Sequence, residues 1–114
     1  MKELIQALLI VEDEKIMESF LKDLMTPSEI KAFSERLDIA KRLKNGESYR
    51  SIAENTGASV TTVTRVARFL KDEPYQGYQW VLSQLGMLLR HQGAAEGAQP
   101  PKAPAHIGPV TRAQ

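Results

Sequence analysis

The sequence predicts an all-α fold, on three observations. Apolar residues recur at helical spacing through nearly every segment before residue 92, capping residues punctuate those segments, and no stretch reads as a convincing strand.

The first 24 residues read as helix. Leu4, Leu8 and Val11 form one stripe with Ile5 and Leu9 beside it, and Ile16, Phe20 and Leu24 form a second, out of phase with the first. The phase shift puts a bend at Glu12-Asp13-Glu14, with Asp13 as cap of a second helix. No glycine or proline forces the bend, so one long helix is the alternative.

Thr26-Pro27-Ser28-Glu29 is the clearest local signal in the chain. Thr26 can accept from the open amides of the first turn, Pro27 suits the first helical position, and Glu29 can reach back to the Thr26 amide. The helix that follows carries Ile30, Phe33, Leu37, Ala40 and Leu43 on one face and ends at Asn45-Gly46, with Lys41, Arg42 and Lys44 near its negative end. Ser48 then caps a short helix to about Asn55, Thr56-Gly57-Ala58 turns, and Ser59 caps another helix to about Leu70. Pro74 stops that helix and suits the start of a new one, in which Tyr78, Val81, Leu82, Leu85 and Leu89 keep helical period. Beyond residue 91 alanine, glycine, proline and glutamine dominate. Residues 92–114 are therefore expected to be a disordered tail behind a folded domain at 1–91.

Tyr49–Arg68 fits the helix-turn-helix pattern. Ile52 is the apolar residue of the first helix that meets the second, Ala53 is small enough for a close crossing, and Gly57 sits where a turn often needs positive φ. Val60, Val63 and Val66 are read as the inward stripe of the second helix. Thr61, Thr62, Arg65 and Arg68 are left outward, with Thr64 near the edge. Threonine offers a hydroxyl and a methyl group to a groove, and arginine can grip guanine or phosphate. The candidate DNA-binding set is Ser48, Tyr49, Arg50, Ser59, Val60, Thr61, Thr62, Thr64, Arg65 and Arg68. The first of these can serve phosphates and the start of the second helix base edges.

Charge agrees with this reading, although the net value is only +1. Lys41, Arg42, Lys44, Arg50, Arg65, Arg68 and Lys71 stand against Glu47 and Glu54 in the middle of the chain. The first 25 residues set Glu3, Glu12, Asp13, Glu14, Glu18 and Asp23 against Lys2, Lys15 and Lys22.

Other classes find little support. No cysteine is present, so disulfides, thiolate metal sites and cysteine nucleophiles are excluded, and the cytoplasm is the expected location. No run approaches the roughly 18 apolar residues of a membrane span, and Ala7–Val11 lacks the flanks of a signal peptide. His91 and His106 fall in or beside the tail, Glu12-Asp13-Glu14 reads as a solvated turn, and Tyr78 and Trp80 read as core or interface. No enzyme, cofactor or metal site is expected.

Several of these residues together resemble the tryptophan repressor family. They are Leu24-Met25-Thr26-Pro27-Ser28-Glu29, Arg36, Leu43–Glu47, Gly57-Ala58, Thr62-Val63-Thr64-Arg65, Leu70-Lys71, Pro74 and Gln79-Trp80. Within that family the chain is most similar to the repressor-related group called YerC/YecD, and the resemblance covers about Leu21 to Leu85. It implies a bacterial regulator, an intertwined homodimer whose end helices share one core, and a palindromic DNA site. A length of roughly 90 foldable residues with apolar stripes at both ends agrees with a shared core. The resemblance also implies an effector groove at Arg36, Thr62, Arg65, Val66 and Phe69. Arg36, Arg65 and Thr62 match its tryptophan-binding positions, but Val66 and Phe69 replace the family's glycine and serine. The expectation is that the chain's own side chains fill the groove and that tryptophan is not the corepressor. The alternatives are a helical dimeric adaptor for proteins and a repressor that answers to a different small effector.

Overall fold

The structure is a computed structural model that describes residues 1–92. Of the expected tail at 92–114, Gln92 is the last residue of α6, and the rest lies outside the described residues. Six helices follow one another: α1 (Lys2–Ile10), α2 (Glu14–Leu24), α3 (Pro27–Lys44), α4 (Tyr49–Thr56), α5 (Val60–Lys71) and α6 (Gly77–Gln92). Two compact units, Met1–Glu35 and Arg36 onward, divide the chain, and α3 runs from one into the other.

In the first unit the bend near Asp13 is real. Val11 is extended after α1, and the Asp13 carboxylate accepts from the Ile16 amide at 3.0 Å, so one long helix does not form. The Thr26 capping box closes in both directions. The Thr26 amide donates to Glu29 at 3.0 Å and the Glu29 amide to the Thr26 hydroxyl at 3.2 Å. These bonds from Thr26 hold the Glu29 carboxyl below its ordinary pKa. No residue of α1 or α2 is buried in the single chain, and Leu9, Ile10 and Ile16 are exposed.

The second unit holds the core. Ile39, Ala40 and Leu43 of α3 pack with Ile52 of α4, with Val63, Val66, Ala67 and Leu70 of α5, and with Leu82 of α6. Ala53, Ala58 and Tyr78 close its edges. The expected α3 stripe needs correction here. Ile39 is fully buried and was not in it, whereas Leu37 is 38% exposed. Ile39, Ala40 and Leu43, at i, i+1 and i+4, define the inward arc. Val60 also differs from expectation. It is 56% exposed, because it stands one turn before Val63, where the core begins.

Pro74 does not open a helix. It lies in the turn after α5, and α6 starts at Gly77. Asp72 and Glu73 both donate their amides to the Arg68 carbonyl, which ends α5. Gln76 is left-handed at φ 57, held by its side-chain amide on the Glu73 carbonyl at 2.8 Å. That conformation cannot belong to a right-handed helix, so the start is delayed.

Candidate nucleic-acid interface

The two central helices begin alike. Ser48 (φ −69, ψ 152) accepts from the Ser51 amide and Ser59 (φ −70, ψ 154) from the Thr62 amide, each through its hydroxyl. Between them Gly57 takes φ 76, as the turn requires, and its amide donates to the Ala53 carbonyl. Thr56 fastens the same turn: its hydroxyl donates to the Ile52 carbonyl at 2.7 Å and accepts from the Ala58 amide at 3.2 Å.

On α5 the faces separate cleanly. Val63, Val66, Ala67 and Leu70 are buried, while Val60, Thr61, Thr64, Arg65 and Arg68 are exposed. Thr62 is half-buried, and its hydroxyl lies 3.0 Å from that of Ser59, so part of its bonding capacity serves the cap. The Thr64 hydroxyl donates to the Val60 carbonyl at 2.9 Å, which leaves lone pairs rather than a proton to an outside group.

An aromatic platform lies at the far end of this face. Phe69 stacks on Tyr75 with centroids 6.3 Å apart and planes 11° from parallel. The guanidinium of Arg65 sits 4.8 Å and that of Arg68 5.1 Å from the Phe69 centroid. Arg68 also pairs with Glu73 at 3.3 Å. On α4, Tyr49 is 37% exposed and carries Lys71 over its ring at 5.8 Å. Arg50 pairs with Glu54 at 3.4 Å, but both are so exposed that the pair adds little.

The basic middle of the chain is not all available to phosphate. Arg42 bonds Asp38 at 3.1 Å and Glu47 at 3.2 Å, and these bonds raise its pKa, that to Asp38 most. Glu47 also accepts from Ser51 and Asn55, each at 2.8 Å, and its pKa is lowered chiefly by those two bonds. Lys44 reaches the Ser83 hydroxyl at 2.8 Å.

The five residues expected to line an effector groove lie in different settings. Val66 is 2% exposed and part of the core, Arg36 is half-buried, and Arg65 lies over Phe69. An open apolar recess of about 390 Å³ is lined by Leu37, Phe69, Tyr75, Gly77, Tyr78 and Val81, so Phe69 alone of the five borders it.

Sequence reasoning missed Glu47, Glu73 and Tyr75. For Glu47 a signal was present: an acid directly before a serine cap and five residues after Arg42. For Tyr75 there was none, since its approach to Phe69 depends on the turn that Gln76 closes. Among the described residues no acidic or histidine cluster could hold a metal, and no helix is long and apolar enough to cross a membrane.

A family model described as Trp repressor protein matches residues 1–86. The chain belongs to the Trp repressor family. That family is one of regulators, not of enzymes. Two solved structures in the Trp repressor group share the all-helical fold. A TrpR-like protein from Eubacterium eligens ATCC 27750 is 40% identical with a TM-score of 0.71, over 75% of this chain and 88% of that one. A proposed Trp repressor from Staphylococcus aureus is 35% identical with a TM-score of 0.70, over 75% of this chain and 84% of the other. The uncharacterized protein YerC of Bacillus subtilis is 37% identical over 68 residues, 60% of this chain. A Trp operon repressor homolog of Photobacterium profundum is 39% identical over 66 residues, 57% of this chain. The chain spans 65% and 64% of the lengths of these two relatives.

Proposed function

We propose that this Trp repressor family member is a cytoplasmic DNA-binding transcription regulator, a repressor, that binds a palindromic operator as a homodimer through a helix-turn-helix formed by α4 and α5. One observation carries the reading. A buried apolar face on α5 backs an exposed face of Thr61, Thr64, Arg65 and Arg68, behind a turn fixed at Gly57. Threonine and arginine on the outer face of such a helix suit base edges and phosphates. Ser48, Tyr49 and Arg50 start α4 and suit the flanking backbone. The Ser59 hydroxyl fixes the start of α5. The apolar side chains left exposed on α1 and α2 support a second copy, since a lone chain gains little from those helices.

Tryptophan is not the corepressor in this reading. Val66, where the resemblance places a glycine, is buried in the core, and Phe69 is already engaged by Tyr75, Arg65 and Arg68, which supports this reading. Selection of bound fragments from genomic DNA, followed by gel shifts with Thr61→Ala, Thr62→Ala and Arg65→Ala, tests the DNA assignment. Unchanged binding in all three would remove α5 from the interface. Calorimetric titration with tryptophan tests the second part, and micromolar binding would overturn it.

A further inference from the structure

We propose that Phe69, backed by Tyr75, is a positioning residue that presents Arg65 and Arg68 to nucleic-acid phosphate. The inference rests on the DNA-binding reading and names how one end of that surface is prepared. Arginine on an open helix face ordinarily samples many rotamers, and ordering it on binding opposes affinity. Here Phe69 is half-buried, so its ring is anchored, and it lies one turn after Arg65 and next to Arg68. Both guanidinium groups rest on that one ring, at 4.8 and 5.1 Å from its centroid. Tyr75 lies parallel to the same ring from the turn after α5. A guanidinium lying face-on to a ring keeps its in-plane N–H donors for an anion, although Nε of Arg68 is shared with Glu73. Arg68 is further restrained by Glu73 at 3.3 Å, whereas the ring is the contact that holds Arg65 among the described residues.

The test uses the full chain and calf-thymus DNA, with Kd measured over a range of salt. Phe69→Leu keeps an apolar side chain but removes the π face. Its Kd is expected to rise about five- to thirty-fold, and the salt dependence to flatten. Phe69→Trp restores both, which a purely structural role for the ring would not produce. In a chain that already carries Arg65→Ala and Arg68→Ala, Phe69→Leu has no further effect. In the wild-type protein, NMR places the Arg65 Nε–H proton upfield of its ordinary position because of the ring current. That measurement needs no variant to fold. Arg65 Nε–H at an ordinary shift would overturn the proposal, as would Phe69→Leu binding like wild type while the arginine variants bind weakly. If neither arginine variant weakens binding, this proposal falls, while the DNA reading still stands or falls with Thr61→Ala and Thr62→Ala.

Discussion

The Glu47 carboxylate takes the Arg42 guanidinium at 3.2 Å across the turn between α3 and α4. The same carboxylate accepts from Ser51 and Asn55 on α4, so one side chain ties the end of α3 to two turns of the next helix. Glu47→Ala is expected to lower the thermal midpoint and leave Arg42 with Asp38 as its carboxylate partner. Because the Glu47 pKa is lowered by folding, its contribution is fully present above the ordinary glutamate value of about 4.3 and is lost as pH falls through the lower folded value. Thermal melts of wild type and Glu47→Gln check this. The difference between them should shrink on acidification below about pH 4.

Gly57 makes a sharper test of the turn. At φ 76 an added Cβ would meet nothing within 4 Å, so the penalty of Gly57→Ala is backbone strain alone. A loss of about 1–2 kcal/mol is expected from urea unfolding. A neutral substitution would mean that the turn relaxes.

Ile52 is fully buried where α4 meets the core. Ile52→Ala should destabilise by about 2–5 kcal/mol in the same assay, through lost burial and the cavity left behind. DNA affinity, measured well below the unfolding transition, should fall much less.

Glu73 bears on function rather than folding. It engages Arg68 at 3.3 Å and so competes with any phosphate for that guanidinium. Glu73→Gln should tighten DNA binding about two- to tenfold at low salt and steepen the salt slope by up to about 0.9, the share of one phosphate contact. Binding constants at four or five salt concentrations decide it, and an unchanged slope would mean that Arg68 takes no part.

Much of this was legible in the residues themselves. The caps at Asp13, Thr26, Ser48 and Ser59 are short-range chemistry, in which a side-chain oxygen meets an amide three residues on, and all four close as the sequence indicates. The left-handed Gly57 is local in the same sense. What could not be read depends on distance along the chain. The burial of Ile39 over Leu37 is decided by where α4, α5 and α6 pack, not by spacing within α3. The late start of α6 rests on Gln76 adopting a conformation that sequence would assign to glycine or asparagine. On the candidate site, the outward set of α5 followed from helical period, but the partners of its arginines did not. Phe69 and Tyr75 meet only because the intervening turn doubles the chain back.

The joint between α4 and α5 is fastened at every residue from Thr56 to Ser59, by the threonine hydroxyl, the left-handed glycine, the alanine amide and the serine cap. A lever made this way has no elbow. A signal that adjusts it has to tilt both arms as one body about their attachments to α3 and α6, and whatever sets the reach of α5 is to be sought at those two shoulders.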